Sequence, residues 1–215
     1  MSGLPLLAAL PITRPGPIIF AVGLVAYIAV RHHHEGVVKR ATAGETSRER
    51  RLDAIEVALL VFVMLGSVLV PLTYLFTSWY SAFEWTPPLA VPIAGGVLML
   101  GSLLLFHRAH VDLGKQWSAT LEIRADHRLI TDGVYRRVRH PMYTAIWGFA
   151  IAQALLLPNT VAGFSAVASI APLYFVRTPR EEALMRETFG EEYDAYARRT
   201  GRLFPRLFGA PRDDA

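Results

Sequence analysis

The stretch that decides the fold opens at His140-Pro141-Met142-Tyr143 and continues as the apolar run TAIWGFAIAQALLL (144–157). Pro158-Asn159 interrupts it, TVAGFSAVASIAPLYFV (160–176) resumes it, and Arg177 ends it. The run is long enough for two membrane crossings, and Pro-Asn is turn chemistry. The stretch therefore predicts a tight hairpin of two antiparallel helices. Charged and aromatic groups gather on both sides of it: Tyr135, His140 and Tyr143 before, Arg177 and Glu181-Glu182 after. A bilayer protein keeps polar groups at such a place when it binds something there.

Working outward, three further segments read as spans, at Pro15–Val30, Leu52–Phe76 and Leu89–Phe106. With Tyr143–Leu157 and Thr160–Val176 they make five. Aliphatic and aromatic residues form 53% of the chain, and its charge is confined to a few blocks, which excludes a polar soluble domain. The fold class expected is all-α, an integral membrane helical bundle. The first and fourth segments are short for a hydrocarbon core of ~30 Å, so tilted or off-centre spans are expected.

Charge sets the orientation. Loop 31–51 carries six Lys and Arg, loop 107–140 seven, and the tail 177–215 eight; only Arg14 falls elsewhere, so 21 of 22 cationic residues lie on one side. That side is expected to be cytoplasmic, with the N-terminus outside and the C-terminus inside. Ser78–Pro88 holds Trp79, Tyr80, Phe83 and Trp85 without a single Lys or Arg, as an outer aromatic belt would. The net charge of +4 suits a basic face beside anionic lipid and calls for no nucleic-acid partner. The N-terminal segment lacks the charged start and small-residue cleavage site of a signal peptide and reads as a retained helix.

The chain reads as one membrane domain: three helices in 1–106 and a catalytic half in 107–215. Thr46-Ser47-Arg48-Glu49 has the pattern of a capping box before the second span. Glu181–Arg199 carries Met185, Phe189, Tyr193 and Tyr196 at helical spacing, with Gly190 able to divide it and Gly201 placed as a C-cap. It predicts a cytoplasmic helix closing over a pocket made by the preceding loop.

Each candidate group has a plainer structural reading. Pro141 suits the first turn of a helix, and Arg136, Arg137 and Arg139 suit an interfacial anchor. Arg177 could be a snorkelling arginine, or a fork that holds a carboxylate or phosphate. Thr178-Pro179-Arg180-Glu181 has the form of a capping box, so Glu181 could serve only a helix start; it could equally hold ribose hydroxyls or balance a cationic cofactor, with Glu182 as the fallback. His127, Tyr135, His140 and Tyr143 fall within seventeen positions, and that density favours binding. With no cysteine, thiolate nucleophiles and thiolate-held metals are excluded. His107-x-x-His110 and the adjacent His32, His33 and His34 fall short of a metal centre. Gly95, Gly96 and Gly101 lie within an apolar span, where close helix packing is the reading.

The run His127-Arg128-Leu129-Ile130-Thr131-Asp132-Gly133-Val134-Tyr135, then Arg139-His140-Pro141-Met142-Tyr143, resembles the isoprenylcysteine carboxyl methyltransferase family. The likeness continues through Arg177, Glu181-Glu182, Phe189-Gly190-Glu191-Glu192-Tyr193, Tyr196 and Pro205. It covers Trp117 to Pro205; before that only the membrane helices are shared. The resemblance implies S-adenosylmethionine held in a cytoplasmic pocket. His127, the backbone of Arg128, Leu129 and Ile130, Tyr135, His140, Pro141, Met142, Tyr143 and Glu181 would contact it, and Arg177 would face a lipophilic or prenylated acceptor in the bilayer. The chain departs from the family upstream of His127, where a cofactor-site Gln would fall on Thr120, with Gln116 nearby.

A carboxylate acceptor is ionised at neutral pH and needs no general base; an amine or thiol would need one, and His140 is the candidate. Two rivals stand beside the methyltransferase: a membrane reductase using a nicotinamide cofactor, and a non-enzymatic membrane scaffold.

Overall fold

The computed structural model describes residues 10–42, 53–117 and 128–206. Five long helices form a bundle: α1 Pro15–Ala41, α2 Ala54–Phe76, α3 Ala90–Leu113, α4 Pro141–Leu156 and α5 Thr160–Phe189. A short α6, Glu191–Arg199, follows. Among the described residues four helices are long and apolar enough to cross a membrane, and α4 is apolar but shorter. Its 16 residues span ~24 Å at 1.5 Å per residue. The fold is all-α and the chain an integral membrane protein.

Contacts between helix ends fix the alternation. At one end Arg14 pairs with Glu84 at 2.8 Å, Glu84 bridges to Asn159, and the Trp85 amide donates to the Pro158 carbonyl. At the other, His34 lies 3.1 Å from His107, Asp53 3.3 Å from Arg180, and Glu56 3.2 Å from Arg177. The chain thus traverses the bundle five times, as the sequence spans predict. The Pro158-Asn159 turn is buried: Asn159 caps α5 through the Val161 and Ala162 amides and donates to the Tyr80 carbonyl at 2.7 Å. Trp79, Phe83 and Trp85 stay exposed, aromatic side chains gathered at one end of the bundle.

Polarity is distributed as a bilayer solvent demands. Val22, Val25, Met64, Val97, Leu104 and Phe175 are all exposed, whereas Gln153 and Ser165 are turned inward onto the Gly66 carbonyl. Gly66 lets α2 approach α5 so closely that a Cβ would meet the Ser165 carbonyl and the Ser169 side chain. It lies in a π turn, Leu65–Leu69, ahead of Pro71. Proline lacks the amide that would bond the carbonyl four residues back, and the widened turn absorbs the mismatch. Of the three glycines of α3, Gly95 alone is tightly packed, against Leu155 and Leu156.

Three local expectations are corrected. The first helix extends to Ala41, well past Val30, because Arg31 and Glu35 pair one turn apart at 3.0 Å and carry it beyond the apolar region. No new helix starts at Thr178: α5 runs unbroken through Pro172 and Pro179, so Glu181 is interior and not a capping-box residue. At this end of α5 Arg177 reaches Glu56 of α2 and Arg180 reaches Asp53, the residue that caps α2. Gly201 is not a left-handed C-cap either; it pairs with Val138 in an isolated parallel bridge. Gly190 does divide the C-terminal helix: its φ of 53° ends α5 and starts α6. The Thr46–Glu49 capping box lies outside the described residues.

Candidate active site

The site is assembled where the head of α4, the distal part of α5 and the segment after α6 meet. The Arg139 amide donates to the Gly201 carbonyl at 2.8 Å and the His140 amide to that of Arg202 at 3.1 Å. The C-terminal segment is thereby stitched along 137–140 like a single strand pair. Pro141 then starts α4 with its missing amide at a position that needs none. One turn of helix brings Tyr143 round to face α5.

Two adjacent carboxylates on α5 take different surroundings, because neighbours in a helix point about 100° apart. Glu181 Oε1 accepts from the Tyr143 hydroxyl at 2.9 Å and from Arg177 Nε at 2.8 Å. Its Oε2 lies 3.8 Å from His140 Nδ1. Glu182 is buried inside a ring of basic side chains instead. Arg202 Nη2 donates to it at 2.6 Å, His140 Nε2 lies at 3.2 Å, Arg139 at 3.4 Å and Arg186 at 3.8 Å. Arg139 also donates to the Ala197 and Thr200 carbonyls at 2.9 and 2.6 Å. The ring therefore locks α5, α6 and the head of α4 together. Glu182 beside Arg202 raises that guanidinium's already high pKa.

Of the residues singled out in the sequence, His140, Tyr143, Arg177 and Glu181 form one contact group. Pro141 sits at the head of α4, and Met142 is half-buried beside it. Arg128 is exposed, Leu129 and Ile130 are half-buried, and His127 lies outside the described residues. Tyr135 is turned elsewhere: its hydroxyl donates to the Ala109 carbonyl at 3.4 Å, and its own carbonyl accepts from the Tyr196 hydroxyl at 2.8 Å. Burial pushes its phenol pKa up, so it is a neutral donor wedged between α3 and α6.

A cavity of about 580 Å³ opens on the opposite side of the first turn of α4. Arg136, Val138, Pro141, Thr144, Leu203 and Phe204 are among its walls. Gly133 stands at its edge with φ 58°, where any Cβ would strike the Asp112 carboxylate that accepts from the Val134 amide. The histidines form their own cluster: His34 stacks on His110 with ring centroids 4.9 Å apart and contacts His107. Among the described residues no three His, Asp or Glu converge as metal ligands would.

The sequence reading missed Glu56. It is 7% exposed at the head of α2, with Oε1 3.2 Å from Arg177 Nη1. The signal was present, since a lone carboxylate at the edge of an apolar span seldom stays without a partner.

A helical membrane bundle with an arginine–carboxylate site at the head of its last hairpin is the architecture against which known proteins can be compared. Residues 94–187 match the model of the isoprenylcysteine carboxyl methyltransferase (ICMT) family. A probable protein-S-isoprenylcysteine O-methyltransferase from Oryza sativa subsp. indica is 30% identical over 51% of this chain and 58% of its own length. The protein-S-isoprenylcysteine O-methyltransferase of Homo sapiens is 33% identical over 40% of this chain and 31% of its own. The solved structure of the eukaryotic intramembrane Ras methyltransferase ICMT matches 94% of this chain and 71% of that one, at 20% identity and a TM-score of 0.53. The chain thus resembles the isoprenylcysteine carboxyl methyltransferase family across 94–187 and shares the helical membrane fold of the solved structure. It spans about half the length of the curated relatives it matches.

Proposed function

We propose that this chain is an integral membrane methyltransferase that moves a methyl group from S-adenosylmethionine to a lipophilic acceptor carboxylate of the isoprenylcysteine type. The observation that carries the reading is the Arg177 guanidinium, held between Glu181 and Glu56 at the head of a membrane hairpin and inside the segment that matches the family. The names of the relatives supply the acceptor class.

The residues present fit the cofactor. Around Arg177 the two carboxylates leave an excess of negative charge, which suits a cationic sulfonium, and Glu181 Oε2 makes only a distant contact with His140. S-adenosylmethionine, when bound, supplies an electrophilic methyl group. His127, the backbone of Arg128–Ile130, Tyr135, His140–Tyr143 and Glu181 are the residues proposed to hold it. Tyr143, fixed by its bond to Glu181, keeps that carboxylate oriented. Arg177 aligns an acceptor that is already ionised, so the site has only to align a displacement and exclude water. His140, whose Nε2 faces Glu182, keeps Nδ1 as the ring nitrogen that would take a proton from an amine or thiol acceptor.

Thermal unfolding tests the reading. S-adenosylmethionine and its demethylated product are each expected to stabilise the protein, by about 2.7 kcal/mol at a hundredfold excess over Kd. A shift with a nicotinamide dinucleotide instead would establish the reductase, and no shift with either would leave the scaffold.

The end of the bundle bearing Arg177 is proposed to be cytoplasmic, from the 21-to-1 charge split. Trp79, 76% exposed at the opposite end of the bundle, offers a labelling site there. In this cysteine-free background Trp79→Cys is expected to react only from outside and Arg198→Cys only from the cytoplasmic side. The reverse pattern inverts the topology.

A further inference from the structure

Glu56 is the single Asp, Glu, Lys or Arg of α2, and it lies outside the segment that matches the family. Holding a carboxylate at the edge of an apolar span costs desolvation, so its partner must matter. That partner is Arg177, but the two carboxylates on Arg177 are held unequally. Glu181 Oε1 accepts a true hydrogen bond from Nε at 2.8 Å. Glu56 Oε1 lies 3.2 Å from Nη1, yet it is buried and makes no hydrogen bond of good geometry among the described residues. A guanidinium fork is suited to grip one carboxylate with both prongs. Here two of its nitrogens go to carboxylates of two residues, and the weaker of these two contacts is to the residue from a different helix.

A second guanidinium lies along the same cleft. Glu56, Arg177 and Arg180 line one narrow cleft between α2 and α5, with Leu59, Leu173 and Val176 as its apolar walls. Arg180 contacts Asp53 at 3.3 Å, and both side chains are more than two-fifths exposed. An exposed pair of this kind is weak and easily exchanged.

We propose that Glu56 is a place-holder carboxylate: it occupies on Arg177 the position that an acceptor's carboxylate takes, and moves to Arg180 when the acceptor arrives. The inference rests on the reading of Arg177 as the acceptor-orienting residue. Its physical sense is charge balance. Arg177 keeps its bond to Glu181 throughout, and exchanging Glu56 for the acceptor leaves the charge around it unchanged, whereas a third carboxylate beside the other two would not. The exchange also selects. An amphiphile without a carboxylate cannot displace Glu56, so competition inside the site rejects neutral lipids that fit the apolar walls equally well. Glu56 thus sets specificity without contacting the reacting atoms, and it does so from the half of the chain outside the family match.

The test uses the full chain in detergent micelles with the demethylated cofactor product bound. Two probes are titrated calorimetrically: a farnesyl thioether bearing a free carboxylate, and its methyl ester. A competing internal group lowers apparent affinity by the fraction of molecules it blocks. Glu56→Gln is therefore expected to bind the carboxylate probe at least about threefold more tightly than the parent, with the ester unchanged. Arg180→Gln is expected to bind the carboxylate about threefold more weakly, and that effect should vanish when Glu56→Gln is also present. Carboxylate affinity that is unchanged or weakened by Glu56→Gln overturns the proposal, as does an equal gain for the ester or no binding in either protein. Should Glu56→Gln not fold, unchanged affinity in Arg180→Gln overturns it alone. Failure of the methyltransferase reading shows separately, as absence of stabilisation of the parent by S-adenosylmethionine.

Discussion

Arg177→Lys is expected to lower methyl transfer at least about tenfold, or ~1.4 kcal/mol of transition-state stabilisation, with cofactor affinity near that of the parent. The side chain reaches two carboxylates through different nitrogens, Nε to Glu181 and Nη1 to Glu56. Lysine keeps the charge and most of the stem but offers one compact ammonium, which cannot match a planar fork. A mere interfacial anchor would tolerate the change. The measurement is initial rate and cofactor Kd on the same preparation, with a prenylated carboxylate as acceptor. Unchanged transfer removes the orienting role, and equal loss of binding and transfer places Arg177 in the cofactor site.

Glu182→Ala is expected to cost roughly 3–5 kcal/mol of stability, because it removes the buried carboxylate on which buried Arg139 and His140 and half-exposed Arg202 converge. Arg139 and His140 are nearly as enclosed as the carboxylate they share, with side chains 11% exposed. Arg139 keeps its two carbonyl acceptors, which places the loss toward the lower end of that range. Arg186→Ala is the control: that side chain is 47% exposed and 3.8 Å away, so its removal should cost less than about 1 kcal/mol. Thermal unfolding in micelles reads both. If the two variants unfold alike, Glu182 is not the lock between α5 and the C-terminal segment.

Much of the fold was legible because bilayer solvation is written into local composition. Each span announces itself as a run of apolar residues, Pro158-Asn159 announces the turn, and the lysines and arginines sort to one side. The motif from Tyr135 to Tyr143, with Arg177 and Glu181, marked the region of the site for a similar reason: polar groups survive at a membrane edge only when something holds them.

Local patterns failed where a residue's role depends on a distant partner. Thr178-Pro179-Arg180-Glu181 reads as a helix start because proline and a following Glu favour one locally. In the structure the helix continues instead, and its Arg177 and Arg180 meet Glu56 and Asp53, more than a hundred residues away in the chain. Glu181 and Glu182 are chemically identical neighbours, and only the rotation of α5 sends one toward Tyr143 and Arg177 and the other into the ring of basic side chains. Tyr135 stands among candidate ligands in the sequence, and only the fold shows that its hydroxyl rests on the Ala109 carbonyl. The sequence by itself determined how many times the chain crosses, where it turns and which residues are chemically able to act. The tertiary structure alone decided which of them meet, because hydrogen bonds and ion pairs act over about 3 Å and depend on where the helices bring their faces together.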